Sequence, residues 1–84
     1  MEEKRIGEIT HYFGHLGVAI VKIENEGLVK GDTVRVKGHT SDFTQKVDSM
    51  QVDHREVNEV KPGQEAGVKV KEHAREKDEV FKVC

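Results

Sequence analysis

Val18-Ala19-Ile20-Val21-Lys22-Ile23 and, after a break at Glu24-Asn25-Glu26-Gly27, Thr33-Val34-Arg35-Val36-Lys37 decide the fold class. The first run is apolar on both faces until Lys22, which predicts the most buried strand of the protein. The second alternates with a period of two, so Val34 and Val36 face inward while Arg35 and Lys37 face water. Gly31-Asp32 closes the short connector between them. Upstream, Ile6 to Thr10 reads as a first strand, and Tyr12-Phe13-Gly14-His15-Leu16-Gly17 supplies the glycines of a turn or bulge. Downstream, Gly38 to Asp42 is a polar turn. Phe43 to Asp53 is long enough for an extended strand, yet Val47 and Met50 are three apart, which predicts a β-bulge near Asp48 and Ser49. A further strand around Val57 to Val60 ends at Lys61-Pro62-Gly63, where proline fixes one backbone angle and glycine permits a tight turn. Ala66, Val68 and Val70 then alternate with Gly67, Lys69 and Lys71. Lys71 to Lys77 is too short for a stable helix and reads as a connecting loop or single turn, and Asp78 to Val83 finishes the chain as a strand.

The 29 hydrophobic residues include 13 Val and 4 Ile against 2 Leu and 3 Ala, the balance of a pleated surface. An all-β protein is expected. Six or more short strands with regular turn signals point to a small closed β-barrel, which removes the edges that invite aggregation. The 84 residues make one domain, 1–84, with no internal repeat, linker or low-complexity segment and no room for a nucleotide-hydrolysing unit. A chain of this size buries only about 60–65% of its unfolded surface, and so small a core leaves room for a homodimer.

Fourteen Lys and Arg against 16 Asp and Glu give a net charge of −2, far from the strongly basic balance of domains that neutralise many phosphates. Nucleic acid remains open only through a localised basic face. The single cysteine, Cys84, is the last residue and has no intramolecular partner, which fits a reducing compartment. Met1-Glu2-Glu3-Lys4-Arg5 is followed by no apolar run of signal-peptide length, and no stretch approaches a membrane span, so a cytoplasmic location with no membrane contact is expected.

Catalysis finds no positive support: P-loop, paired-glycine fingerprint and CxxC pair are missing, and no Ser-His-Asp set stands out. Cys84 lacks the fixed base and oxyanion site that thiol catalysis requires. His11 and His15 are four apart, but Gly14 and Gly17 oppose a helix there, and no cysteine or spaced carboxylate completes a metal set; a structural or exposed role is expected, with no metal and no cofactor. The outward basic residues Arg35, Lys37, Lys46, Lys69 and Lys71, with His39 and Arg55 in nearby turns, form a candidate nucleic-acid-binding stripe. The competing reading, that lysine and arginine sit outward for solubility, is favoured by the near-neutral total charge. Tyr12, Phe13 and Phe43 are candidates for base stacking, though core packing or turn support suits so aromatic-poor a chain better.

Gly17 to Ile23, Gly27-Leu28-Val29-Lys30-Gly31-Asp32-Thr33-Val34-Arg35-Val36, Gln45 to Met50 and Pro62-Gly63-Gln64-Glu65-Ala66-Gly67-Val68 together resemble the second, β-barrel domain of translational GTPases such as elongation factor Tu and initiation factor 2. The resemblance spans about Ile6 to Val83. It implies a closed six- or seven-stranded barrel of the translation-protein type, without GTP hydrolysis, that contacts RNA, a ribosomal surface or a neighbouring domain. The chain also looks like the C-terminal domain of collagenase-like peptidases, which implies an accessory domain of a larger enzyme. Three readings follow: a non-catalytic translation-factor-like module binding RNA or the ribosome, a protein-docking module for a larger enzyme, and a metal-linked role through His11 and His15.

Overall fold

Ten strands and no helix make up residues 2–83, which the computed structural model describes. They are β1 (Glu3–Phe13), β2 (Val18–Ile23), β3 (Leu28–Val29), β4 (Thr33–Lys37), β5 (Asp42–Lys46), β6 (Met50–Val52), β7 (Arg55–Glu56), β8 (Glu59–Val60), β9 (Glu65–Lys69) and β10 (Glu79–Val83). Eight form one antiparallel sheet in the order β5-β4-β10-β1-β2-β9-β6-β7, and β3 pairs with β8 apart from it. The all-β expectation holds, and Lys71 to Lys77 is a loop with a turn at Glu76-Lys77.

β1 is the longest strand and pairs with both β10 and β2, with its register broken once against each neighbour. Ile6 is the extra residue opposite β10 and Thr10 the extra residue opposite β2. Each bulge sharpens the local twist and lets one strand serve two differently directed halves of a curled sheet. Ile6 and Ile9 thereby both turn into the core, where they meet Ala19, Val21 and Ile23 of β2, Val34 and Val36 of β4, Met50, Ala66, Val68 and Val80.

Two expectations need correction. The hydrogen-bonded ladder does not close into a barrel: β5 ends it on one side and β7 on the other. The predicted bulge near Asp48 and Ser49 is instead a gap, Val47–Ser49, across which the chain leaves β4 as its partner and takes up β9. At that seam a side chain replaces backbone pairing. Gln45, only 5% exposed, donates from Nε2 to the Lys69 carbonyl and accepts the Lys71 amide on Oε1, both at 2.8 Å. One primary amide thus mimics a bridge of a β-ladder, satisfying two part-buried backbone groups that strand pairing would otherwise serve.

β2 is the most buried of the longer strands, as expected. Its inward residues are fully buried, but Val18 and Ile20 on the other face are only half-buried. The apolar run does not lie between two layers; its outer face opens to a groove.

Candidate functional site

The candidate basic residues fall into separate places. Arg35, on the outer face of β4, is held by carboxylates: its Nε and Nη2 donate to Oδ1 and Oδ2 of Asp42 at 2.8 Å, and its Nη1 to both oxygens of Glu3 at 3.1 Å. Phe81 of β10 lies directly between Arg35 and Arg5 of β1 in the cross-strand register. Arg5 in turn donates to Glu24 at 2.8 Å and Glu79 at 3.0 Å. The hydrogen bonds that Arg35 donates to Asp42, then to Glu3, raise the Arg35 pKa, and the bond from Arg35 lowers that of Asp42. This half of the outer surface is a lattice of paired charges.

Lys37 and Lys46 are exposed on the same hairpin as Arg35, and His39 sits in its turn. Lys69 and Lys71 lie across the seam, with their backbone groups tied to Gln45. Arg55 is on β7, at the other end of the strand order, beside a separate cleft of about 400 Å³ with Val52, Val57 and Glu59. None of Lys37, Lys46, Lys69, Lys71 and Arg55 makes an ion pair within 4.0 Å among the described residues.

A second surface went unnoticed in the sequence. Phe13 at 48% exposure and Leu16 at 66% stand beside Val18 and Ile20 around a groove of about 330 Å³, with Gly67 at its base. The β1–β2 turn builds one end: the amides of Leu16 and Gly17 both donate to the Phe13 carbonyl, at 3.1 and 2.9 Å, and Gly17 takes a φ of +64°. Leu16 is left exposed at the tip. β9 lies against β2 with Gly67 opposite Ile20, and β6 places Gln51 opposite Gly67. A Cβ on Gly67 would come within 3.3 Å of Val18 Cγ1, so the missing side chain leaves the groove its depth. The rim carries two carboxylates: among the described residues that of Glu65 accepts only from the Thr10 hydroxyl, at 3.2 Å, and that of Asp53 makes no ion pair within 4.0 Å. The signal was the apolar outward pair Val18 and Ile20. Phe13, expected in the core or supporting a turn, is exposed here; Phe43 is in the core, and Tyr12 is half-buried against the His73 ring at 4.6 Å.

His11 stacks on Phe13 with ring centroids 6.4 Å apart and stands 3.8 Å from Glu76. Among the described residues no three His, Cys, Asp or Glu side chains are grouped to hold a metal ion. Among the described residues no helix is long and apolar enough to cross a membrane. Cys84 lies outside the described residues.

No family model matches the chain. It is 32% identical over 77 residues to an uncharacterized protease of Methanocaldococcus jannaschii, covering 90% of this chain and 19% of that protein. It is likewise 32% identical over 78 residues to a collagenase of Porphyromonas gingivalis, covering 92% of this chain and 22% of the collagenase. Among solved structures, the C-terminal domain of a candidate U32 peptidase of Geobacillus thermoleovorans superposes with a TM-score of 0.88 over 96% of this chain and 93% of that one, at 23% identity. This chain has the fold of that C-terminal domain.

The chain spans about a fifth of the length of the relatives it matches. The resemblance to translational GTPases is therefore corrected: the similar proteins are a protease and collagenases, and the matching fold is a U32 peptidase domain, not a translation factor or a ribosome-binding domain. Alternating valines and glycine turns specify a β-sheet and its turns but not the family that uses it, so those motifs could not separate the two likenesses. The likeness to the C-terminal domain of collagenase-like peptidases is the one that the comparisons support.

Proposed function

We propose that this protein is a non-catalytic accessory domain that docks on a larger peptidase of the U32 type. The observation that carries the reading is the footprint of the similarity: nine tenths of this chain align with one fifth of a protease and of a collagenase, as a module within a longer enzyme would. The chemistry of the surface agrees with it. The site residues on offer are a paired-charge lattice and an apolar groove, which suit recognition rather than bond cleavage.

Two measurements test the reading together. The purified chain alone is incubated with gelatin and denatured casein, and no hydrolysis is expected; cleavage that persists through successive purification steps would make it an enzyme. Immobilised chain is then exposed to an extract of its own cells. Retention of a protein similar to the remaining four fifths of the relatives supports docking, and retention of ribosomes or RNA alone would overturn it.

A further inference from the structure

We propose that the groove between the β1–β2 turn and the β6–β7 turn binds a polypeptide segment that presents a large apolar side chain flanked by lysine or arginine. This deepens the docking reading and rests on it for the source of the segment, which is the larger peptidase.

The apolar part of the argument is geometric. Two of the three large hydrophobic residues that the described chain leaves exposed, Phe13 and Leu16, flank this one groove, and Val18 and Ile20 extend the surface between them. A domain this small loses stabilisation by leaving such residues in water, and clustered exposure of this kind marks interaction sites. Gly67 opens the base, giving depth for one side chain rather than a flat contact.

The charged part selects the occupant. Among the described residues those lining the groove include two carboxylates, Asp53 and Glu65, with His54 the one other titratable group, while Lys22 opposite Glu65 and Lys69 opposite Val18 stand on the same face outside the lining. Among the described residues neither carboxylate makes an ion pair within 4.0 Å, in contrast to Glu3, Glu24, Asp42 and Glu79 on the opposite half of the surface. A segment bearing acid residues beside its apolar anchor meets repulsion here, and one bearing lysine or arginine meets complementary charge. The groove is also asymmetric, acidic at one end and aromatic at the other, which fixes the direction of an extended segment.

The test uses two synthetic nonapeptides with a central Leu-Phe pair, one flanked by two lysines on each side and the other by two glutamates. Each is titrated into the isotopically labelled chain while amide shifts are followed. The lysine peptide is expected to bind about tenfold or more tightly than the glutamate peptide, with shifts confined to residues 13–20, 51–54 and 65–67. Leu16→Ser, at an exposed turn tip that folding does not need, is expected to weaken it about tenfold, and Glu65→Gln to reduce the preference for lysine. Equal affinity for both peptides, shifts centred elsewhere, or an unchanged affinity in Leu16→Ser would overturn the proposal. Concentration-dependent shifts at the same residues without peptide would give the groove to a second copy and overturn it too. Binding of the lysine peptide by a chain that captures no peptidase refutes the docking reading alone; capture of the peptidase undiminished by Leu16→Ser refutes the groove alone.

Discussion

Arg35 grips Asp42 with two parallel hydrogen bonds, Nε to Oδ1 and Nη2 to Oδ2, each 2.8 Å long, from adjacent antiparallel strands. The planar guanidinium matches the carboxylate edge, and the remaining nitrogen turns to Glu3. A residue so engaged cannot swing out to a phosphate without abandoning both carboxylates. The bond from Arg35 lowers the folded-state pKa of Asp42, so its contribution to stability is present above the ordinary aspartate pKa of about 3.9 and is lost as pH falls through and below it. Urea midpoints measured between pH 6 and pH 2.5 should therefore fall less steeply in Asp42→Asn than in the wild type. Both residues are solvent-exposed, so the difference should shrink in high salt. Parallel pH profiles for the two proteins would show that the pair contributes nothing to folding.

Gln45→Ala removes both bonds at the seam and leaves the Lys69 carbonyl and Lys71 amide without their partner. A loss of about 1–3 kcal/mol is expected from urea denaturation. Gln45→Glu should be comparably damaging, because a carboxylate cannot donate to the Lys69 carbonyl and would be buried beside it. Hydrogen exchange supplies the specific readout: the Lys71 amide should lose protection in Gln45→Ala while the Val21 amide, in the centre of β2, keeps its own. Retained protection at Lys71 would mean that the seam is held by other contacts.

Much of the fold was legible because burial on one face forces a period of two, which Thr33–Lys37 and Glu65–Lys69 carry in their residues, while Val18–Ile23 shows it only in its burial. What stayed hidden depends on partners distant in sequence. Nothing local in Asp42–Lys46 says that Gln45 will reach across to Lys69, so a closed ladder was the natural expectation. The acid partners of Arg35 come from a strand 32 residues away and from the far side of a turn, which is why a basic stripe looked credible from outward arginine and lysine alone. That the outer face of β2 is apolar was legible, but that a groove lies over it was not, since a sequence gives the hydropathy of a strand but not the number of layers around it.

Gly38 and Asp78 share one space. A Cβ on Gly38 would overlap the Asp78 carboxylate, whose Oδ2 also accepts the Arg75 amide at 2.9 Å, so this side chain, 5% exposed, locks the β4–β5 turn to the loop before β10. Gly38→Ala should cost about 1–3 kcal/mol through overpacking. Asp78→Ala should cost about 1–2 kcal/mol through the lost hydrogen bond. The double variant should be more stable than the sum predicts by about 1 kcal/mol, because the clash disappears with the carboxylate. Strict additivity in urea denaturation would show that the alanine methyl finds another way out.

Asp53 and His54 form the two-residue turn between β6 and β7 with φ of 52° and 65°, a left-handed pair that ordinarily calls for Asn-Gly. Left-handed backbone costs a non-glycine residue about 1–2 kcal/mol, while glycine avoids it and loses about 0.5–1 kcal/mol in unfolded-state entropy. His54→Gly should therefore stabilise the domain by about 0.5–1 kcal/mol, read as a higher urea midpoint at unchanged slope. Asp53→Asn tolerates the same conformation and should add little by itself. A destabilised His54→Gly would mean that the imidazole makes contacts that outweigh the strain, and that the β6–β7 turn is shaped by its side chains rather than by the strand pairing of Val52 with Arg55.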